Sequence, residues 1–114
     1  MATAQRANSK LGNAVGKRKT SVARVIFRPA KGGEGKIVVN GRGFEDYFPR
    51  DVLRRVVMQP LEITETVGKY DIEATLSGGG DSGQAGALRH GIARTLNAMD
   101  REIYRKALKT AGYL

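Results

Sequence analysis

From Thr20 to Arg28 the chain alternates. Ser21, Ala23, Val25 and Phe27 fall on one side, and Val22, Arg24, Ile26 and Arg28 on the other. A period of two is that of a strand with one buried face. The odd positions are predicted to enter a core, and the even ones to carry cations. Pro29 ends the strand, Lys31-Gly32-Gly33-Glu34-Gly35 reads as a flexible turn, and Lys36 to Val39 is a short β-branched strand. The two strands pair most simply as a hairpin. Asn40-Gly41 marks a turn, because both residues tolerate positive φ.

A helix is predicted after Pro49, where Val52, Leu53, Val56 and Val57 repeat at helical spacing and Arg54 and Arg55 point away. Pro60 is expected to stop it. A further helical turn fits Leu61 to Thr66. Tyr70, Ile72, Ala74 and Leu76 alternate with Asp71, Glu73 and Thr75, which predicts a half-exposed strand. It runs directly into Gly78-Gly79-Gly80-Asp81-Ser82-Gly83.

After these glycines, Leu88, Ile92, Leu96 and Met99 form an apolar stripe, with His90, Asn97, Arg94 and Arg101 on the opposite side of the wheel. Asp100 is placed to cap a last helix, with Ile103, Ala107, Leu108 and Ala111 facing inward and Gly112 as its stop. The order β-β-α-β-α-α gives an α+β class, a sheet with helices packed mainly on one face. Met1 to Val15 has little periodicity and reads as a flexible basic arm, residues 1–15, ahead of a single domain, residues 16–114.

Composition changes this picture mainly through charge. The chain has 114 residues, no cysteine and one histidine. One domain of this size can bury a modest core. A disulfide framework, a thiolate zinc site, a cysteine nucleophile and a cluster of imidazole ligands are all excluded. There is no apolar run of the roughly 20 residues a membrane span needs, and no apolar secretory signal.

The net charge is +9. A small domain this basic points to a polyanion, nucleic acid before an anionic membrane surface. Before Glu34 there are eight bases and no acid. From Glu34 to Leu88 there are six bases against nine acids, and from Arg89 onward six against two. The positive field therefore lies at the two ends of the chain, flanking a slightly acidic middle.

Gly78, Gly80 and Gly83 have the spacing GxGxxG between a strand and a helix, the local context of a phosphate cradle. The dinucleotide reading fails, because no acidic strand end follows about 20 residues on and the chain is too short for the second half of that fold. A tight strand-to-helix turn without ligand and a seat for an RNA phosphate both fit, and a phosphate-ligand-binding enzyme using Gly78–Gly83 is the alternative reading. Lys17-Arg18-Lys19-Thr20-Ser21 sets three cations beside two hydroxyl donors, and Arg24 and Arg28 extend the run. His90 has no Ser, Asp or Cys at triad spacing. Glu45, Asp46 and Asp51 read as caps and solvated surface, and Phe44, Tyr47 and Phe48 as core. No catalytic residue, metal site or cofactor is expected.

Five stretches carry a resemblance. The segment Gly78-Gly79-Gly80-Asp81-Ser82-Gly83-Gln84-Ala85-Gly86-Ala87-Leu88-Arg89-His90-Gly91-Ile92-Ala93-Arg94 resembles the signature of the small-subunit ribosomal protein nine family, of bacterial type. Gly16-Lys17-Arg18-Lys19-Thr20-Ser21-Val22-Ala23-Arg24-Val25 is similar to the family's first strand. Lys36-Ile37-Val38-Val39-Asn40-Gly41, Tyr47-Phe48 and Gln59-Pro60-Leu61 also match, so the likeness runs from Gly16 to Leu114.

The resemblance implies an α+β fold with a left-handed βαβ crossover, of the ribosomal protein five domain 2-like kind. It also implies a structural, non-enzymatic role. That role is binding ribosomal RNA of the small-subunit head, beside neighbouring head proteins, in a cytoplasmic ribosome rather than an organellar one. The RNA-contacting positions it implies are Lys17, Arg18, Lys19, Arg24, Gly79, Ser82, Gln84, Arg89, His90 and Arg94. Family members continue past a segment like Lys109–Leu114 into a basic tail that reaches tRNA. This chain stops at Leu114, so the tRNA contact is not carried over to it.

Overall fold

The computed structural model describes residues 10–114. Five strands form one sheet: β1 (Gly12–Arg18), β2 (Ser21–Pro29), β3 (Ile37–Val39), β4 (Arg42–Gly43) and β5 (Tyr70–Ser77). Four helices accompany them: α1 (Phe44–Tyr47), α2 (Asp51–Ile63), α3 (Asp81–Met99) and α4 (Arg101–Thr110). The strand order is β1-β2-β5-β3-β4. β1 and β5 flank β2 antiparallel, while β3 runs parallel to β5 and antiparallel to β4. The α1–α2 stretch is thus the crossover between the parallel neighbours β3 and β5.

The alternation of β2 and β5 decides the layers. Ser21, Ala23, Val25 and Phe27 are buried, as are Ile72, Ala74 and Leu76. Register sets Ala23 opposite Leu76, Val25 opposite Ala74 and Phe27 opposite Ile72, so these side chains share one face. α3 lies across that face on β1 and β2, and α2 and α4 pack against α3. Phe27, Phe48, Leu61, Leu88, Ile92, Leu96 and Leu108 fill the core between them. The predicted aromatic core holds: the Phe48 ring meets Tyr47 and Phe44 edge-on, with centroids 4.9 and 6.1 Å away.

The structure corrects four expectations. First, the expected hairpin between the first two predicted strands does not form. β5 stands between β2 and β3, because it offers β2 a register running from Val22–Ser77 to Pro29–Tyr70, whereas β3 has only three residues to pair. Second, the expected arm through Val15 is shortened. Gly12 to Val15 belong to β1, which pairs with β2 along its whole length, and residues 1–9 lie outside the described residues.

Third, Pro60 does not stop the second helix, which continues to Ile63. Proline removes one donor near the helix end, and burial of Pro60 and Leu61 against the core offsets that loss. The Pro60 carbonyl is satisfied by the backbone N–H of Thr64 at 3.3 Å and its hydroxyl at 2.7 Å. Fourth, Ile103 does not face inward. It is 66% exposed, while Leu108 is fully buried and Tyr104 half-buried, so the i, i+4 pair Tyr104–Leu108 forms the inner stripe of α4. The predicted cap is present, with the Ile103 N–H donating to the Asp100 carboxylate at 3.2 Å.

Candidate nucleic-acid interface

The glycine bend is built by contact with the start of β2. Gly78 and Gly79 have φ of 76° and 61°, the left-handed region where a side chain is strained. A methyl group at Gly78 would also strike the Thr20 carbonyl, and one at Gly79 the Ser21 hydroxyl. The Gly78 carbonyl accepts from the Ser21 hydroxyl and from the Gln84 side-chain amide, each at 3.1 Å. The Gln84 oxygen in turn accepts from the Tyr47 hydroxyl at 2.6 Å, and that hydroxyl accepts from Asn40 at 3.3 Å. This network locks the strand-to-helix turn against the start of β2. Arg18, Lys19 and Thr20 thereby stand beside Gly79 and Ser82 around a hollow of about 310 Å³.

The second half of the site comes from an unusually close strand–helix approach. Gly16 of β1 lies so near α3 that a methyl group there would collide with the backbone of Ala87 and Gly91. On either side of this contact the two elements are tied together. The Lys17 N–H donates to His90 Nδ1 at 3.2 Å, and the Arg94 guanidinium donates to the Val15 carbonyl at 2.8 Å. The Arg18 side chain lies against Gly86. Lys17, Arg18, Arg89 and His90 rim one hollow, while His90, Arg94, Asn97 and Arg105 rim the next. Arg18 also borders the glycine bend, so the three hollows form one strip along the β1 edge and the exposed side of α3.

Cations from both ends of the chain therefore meet. Among the described residues, the ion pairs are Arg28–Glu73, Arg42–Asp46, Arg50–Asp81, Arg54–Asp51 and Arg55–Asp51. None involves Lys17, Arg18, Lys19, Arg89, Arg94 or Arg105. Asp81, the acid beside the bend, faces Arg50 at 3.6 Å. Charge on the strip is thus left to solvent or to an external anion.

Of the residues implied by the resemblance, Lys17, Arg18, Lys19, Gly79, Ser82, Arg89, His90 and Arg94 lie on this strip. Gln84 is placed beneath it, with both ends of its amide engaged by Tyr47 and Gly78. Arg24 lines none of the three hollows; it lies on the open face of the sheet, which it shares with its diagonal neighbour Lys17 across the β1–β2 pair. The expected run of cations does not continue along one strand edge. β2 is an interior strand, and Arg28 is paired with Glu73. Sequence reasoning missed Arg105, although the basic excess after Arg89 pointed to that helix. It also missed Tyr113, whose ring lies 5.2 Å from the Arg89 guanidinium.

Two arginines on the strip differ in their structural load. Arg89 is half-buried, donates to the Gln59 side chain of α2 at 2.8 Å and stacks on Tyr113. Arg94 is exposed and makes one bond to Val15. Arg89→Ala is expected to lower stability by about 1–2 kcal/mol. Arg94→Ala should cost less than about 1 kcal/mol, because its single bond competes with water. Urea unfolding of the two variants checks the difference, and equal losses would count against the clamp assigned to Arg89.

His90 carries a pH dependence. Its pKa is held below the ordinary histidine value, first by burial and then by the positive charges of Arg94 and Arg89. The unfolded chain therefore takes up a proton in a range where the folded chain does not. The stability from neutral His90 is complete above about pH 6.5 and is lost as pH falls through the lowered folded pKa. His90→Gln is expected to flatten the slope of stability against pH just below 6.5, measured by urea titrations across that range. An unchanged slope would remove His90 as its source.

Among the described residues, no group of three or more His, Cys, Asp and Glu is placed to hold a metal ion, and no helix is long and apolar enough to cross a membrane. The protein-family model described as ribosomal protein S9/S16 matches residues 16–114, which include the cationic end of β1, the glycine bend and all of α3. With nearly the whole chain matched, this protein belongs to the ribosomal protein S9/S16 family, structural constituents of a ribonucleoprotein particle.

Proposed function

We propose that the protein is a non-catalytic component of the small ribosomal subunit that grips ribosomal RNA of the subunit head through the strip described above. One observation carries this reading: Lys17, Arg18 and Lys19 converge with Arg89, Arg94 and Arg105, and none of them is ion-paired among the described residues. Folded RNA is recognised largely through phosphates and shape, which calls for fixed cations and hydroxyl donors rather than a base code. Ser82, Thr20 and the Gly79 backbone add donors at the bend, where the α3 N-terminus contributes partial positive charge. Neighbouring head proteins are its further partners, in a cytoplasmic ribosome.

Contact with Thr20 and Ser21 at the start of β2 accounts for Gly78 and Gly83 of the spacing, and for Gly79 between them, without a small-molecule phosphate, so these glycines give the enzyme reading no separate support. The test is the salt dependence of binding to small-subunit ribosomal RNA. Each neutralised phosphate contributes a slope of about −0.7 to −0.9 in log affinity against log salt. Six cations on the strip predict a total near −5. A nearly flat plot, or equal affinity for duplex DNA throughout, would overturn the proposal.

A further inference from the structure

A groove of about 420 Å³ runs between α2, β3 and the start of β5, away from the cationic strip. Its floor is apolar, with half-buried Ile37, Phe44, Met58 and Tyr70 and the edge of Leu61. Val67, on its margin, leaves 52% of its surface exposed. Glu34, Glu45 and Glu62 rise from the rim, exposed and in no ion pair among the described residues. The two arginines on the same rim are taken, because Arg54 and Arg55 both turn to Asp51, at 3.6 and 2.7 Å. The uncommitted charge of this groove is therefore carboxylate, on a chain whose net charge is +9.

We infer that this groove docks a basic segment of another polypeptide, one that seats an aromatic or aliphatic side chain on the Ile37–Phe44–Met58 floor while its lysines or arginines meet Glu34, Glu45 and Glu62. Charge complementarity selects this occupant. A nucleic acid phosphate would meet three free carboxylates, and an uncharged apolar segment would leave them without partners. The apolar floor supplies the anchor that a salt-screened surface pair alone lacks. The inference goes beyond the RNA-binding reading and uses none of its residues, so the two can fail separately.

The experiment titrates the full chain with a fluorescent lysine-rich peptide carrying a single phenylalanine. Control peptides have that phenylalanine replaced by serine, or the lysines replaced by glutamate. Saturable binding is expected for the first peptide alone, with NMR shift changes confined to Ile37, Phe44, Met58 and Val67. Glu45→Lys combined with Glu62→Lys should weaken it about tenfold, while affinity for small-subunit ribosomal RNA does not fall. Three outcomes would overturn the inference. They are no saturable binding, shift changes elsewhere on the surface, or an unaffected double variant. Concentration-dependent self-association producing the same shifts without peptide would assign the groove to a second copy of this chain and overturn it as well.

Discussion

Replacing Lys17, Arg18 and Lys19 together with alanine is expected to weaken binding to small-subunit ribosomal RNA about a hundredfold at physiological salt, and to reduce the slope of log affinity against log salt by about 2 to 3. The three side chains are exposed where β1 turns into β2, with Arg18 and Lys19 beside the glycine bend and Lys17 at the neighbouring hollow. Each one placed on a phosphate releases counterions, so losing three removes roughly three contacts from the slope. The fold should survive. Lys19 already has a φ of 55°, and alanine adds no backbone strain there that lysine does not have. Arg18 loses only a surface contact with Gly86. Filter binding across a salt series, with circular dichroism as a check on folding, makes the measurement. A variant with wild-type affinity and slope would show that this end of the strip does not face RNA.

Gly16→Val is expected to destabilise the domain by about 3 kcal/mol or more, a large share of the roughly 5–15 kcal/mol available to a small domain. The reason is the position of α3. A side chain at Gly16 would meet the Ala87 carbonyl and the Gly91 backbone, and main chain cannot rotate aside as a flexible side chain can. Either the helix moves outward or β1 detaches from β2. Both would separate Lys17 from His90 and Arg94 from Val15, because these bonds sit on either side of the contact. Loss of RNA affinity should therefore accompany the loss of stability. In the triple alanine variant, affinity alone should fall. Urea denaturation followed by RNA binding under native conditions tests the pairing. A stable Gly16→Val domain would refute the close packing.

The same contact explains what was hard to read in the chain. β1 has Gly12, Ala14 and Gly16 at the positions that face α3, and Lys17 and Arg18 at its end. Strands are recognised by bulky residues at alternate positions, and here the helix lies too close to admit them. Packing on the bend likewise explains Gly78, Gly79 and Gly83, whereas Gly80 has open space around it. A sequence spacing suited to a phosphate cradle is equally suited to this close packing, so spacing alone could not separate the two. Gln84 shows the complementary difficulty. The resemblance implies it as an RNA contact, and the structure shows its amide also engaged by Tyr47 and Gly78, a role that no spacing announces.

Other parts were legible because local physics decided them. The alternation of β2 and β5 marked the buried face correctly, since one side of each strand must leave water. The Leu88–Ile92–Leu96 stripe and the Asp100 cap placed α3 and α4 for similar reasons. Ile103 was misread because a short helix can be rotated by its neighbours, and Tyr104 offered more area to bury than the expected stripe allowed for.

Charge sign, the two basic ends and the amphipathic periods are properties of residue order, and the chain alone determined them. Which strands became neighbours was decided in three dimensions, where the eight-residue β5 outcompeted β3 for the side of β2. So was the meeting of Lys17 with His90, residues 73 positions apart, through a helix packed directly on glycine. Period and composition describe each segment separately. The gathering of distant cations into one strip depends on which surfaces fit together, and that is a property of the packed whole.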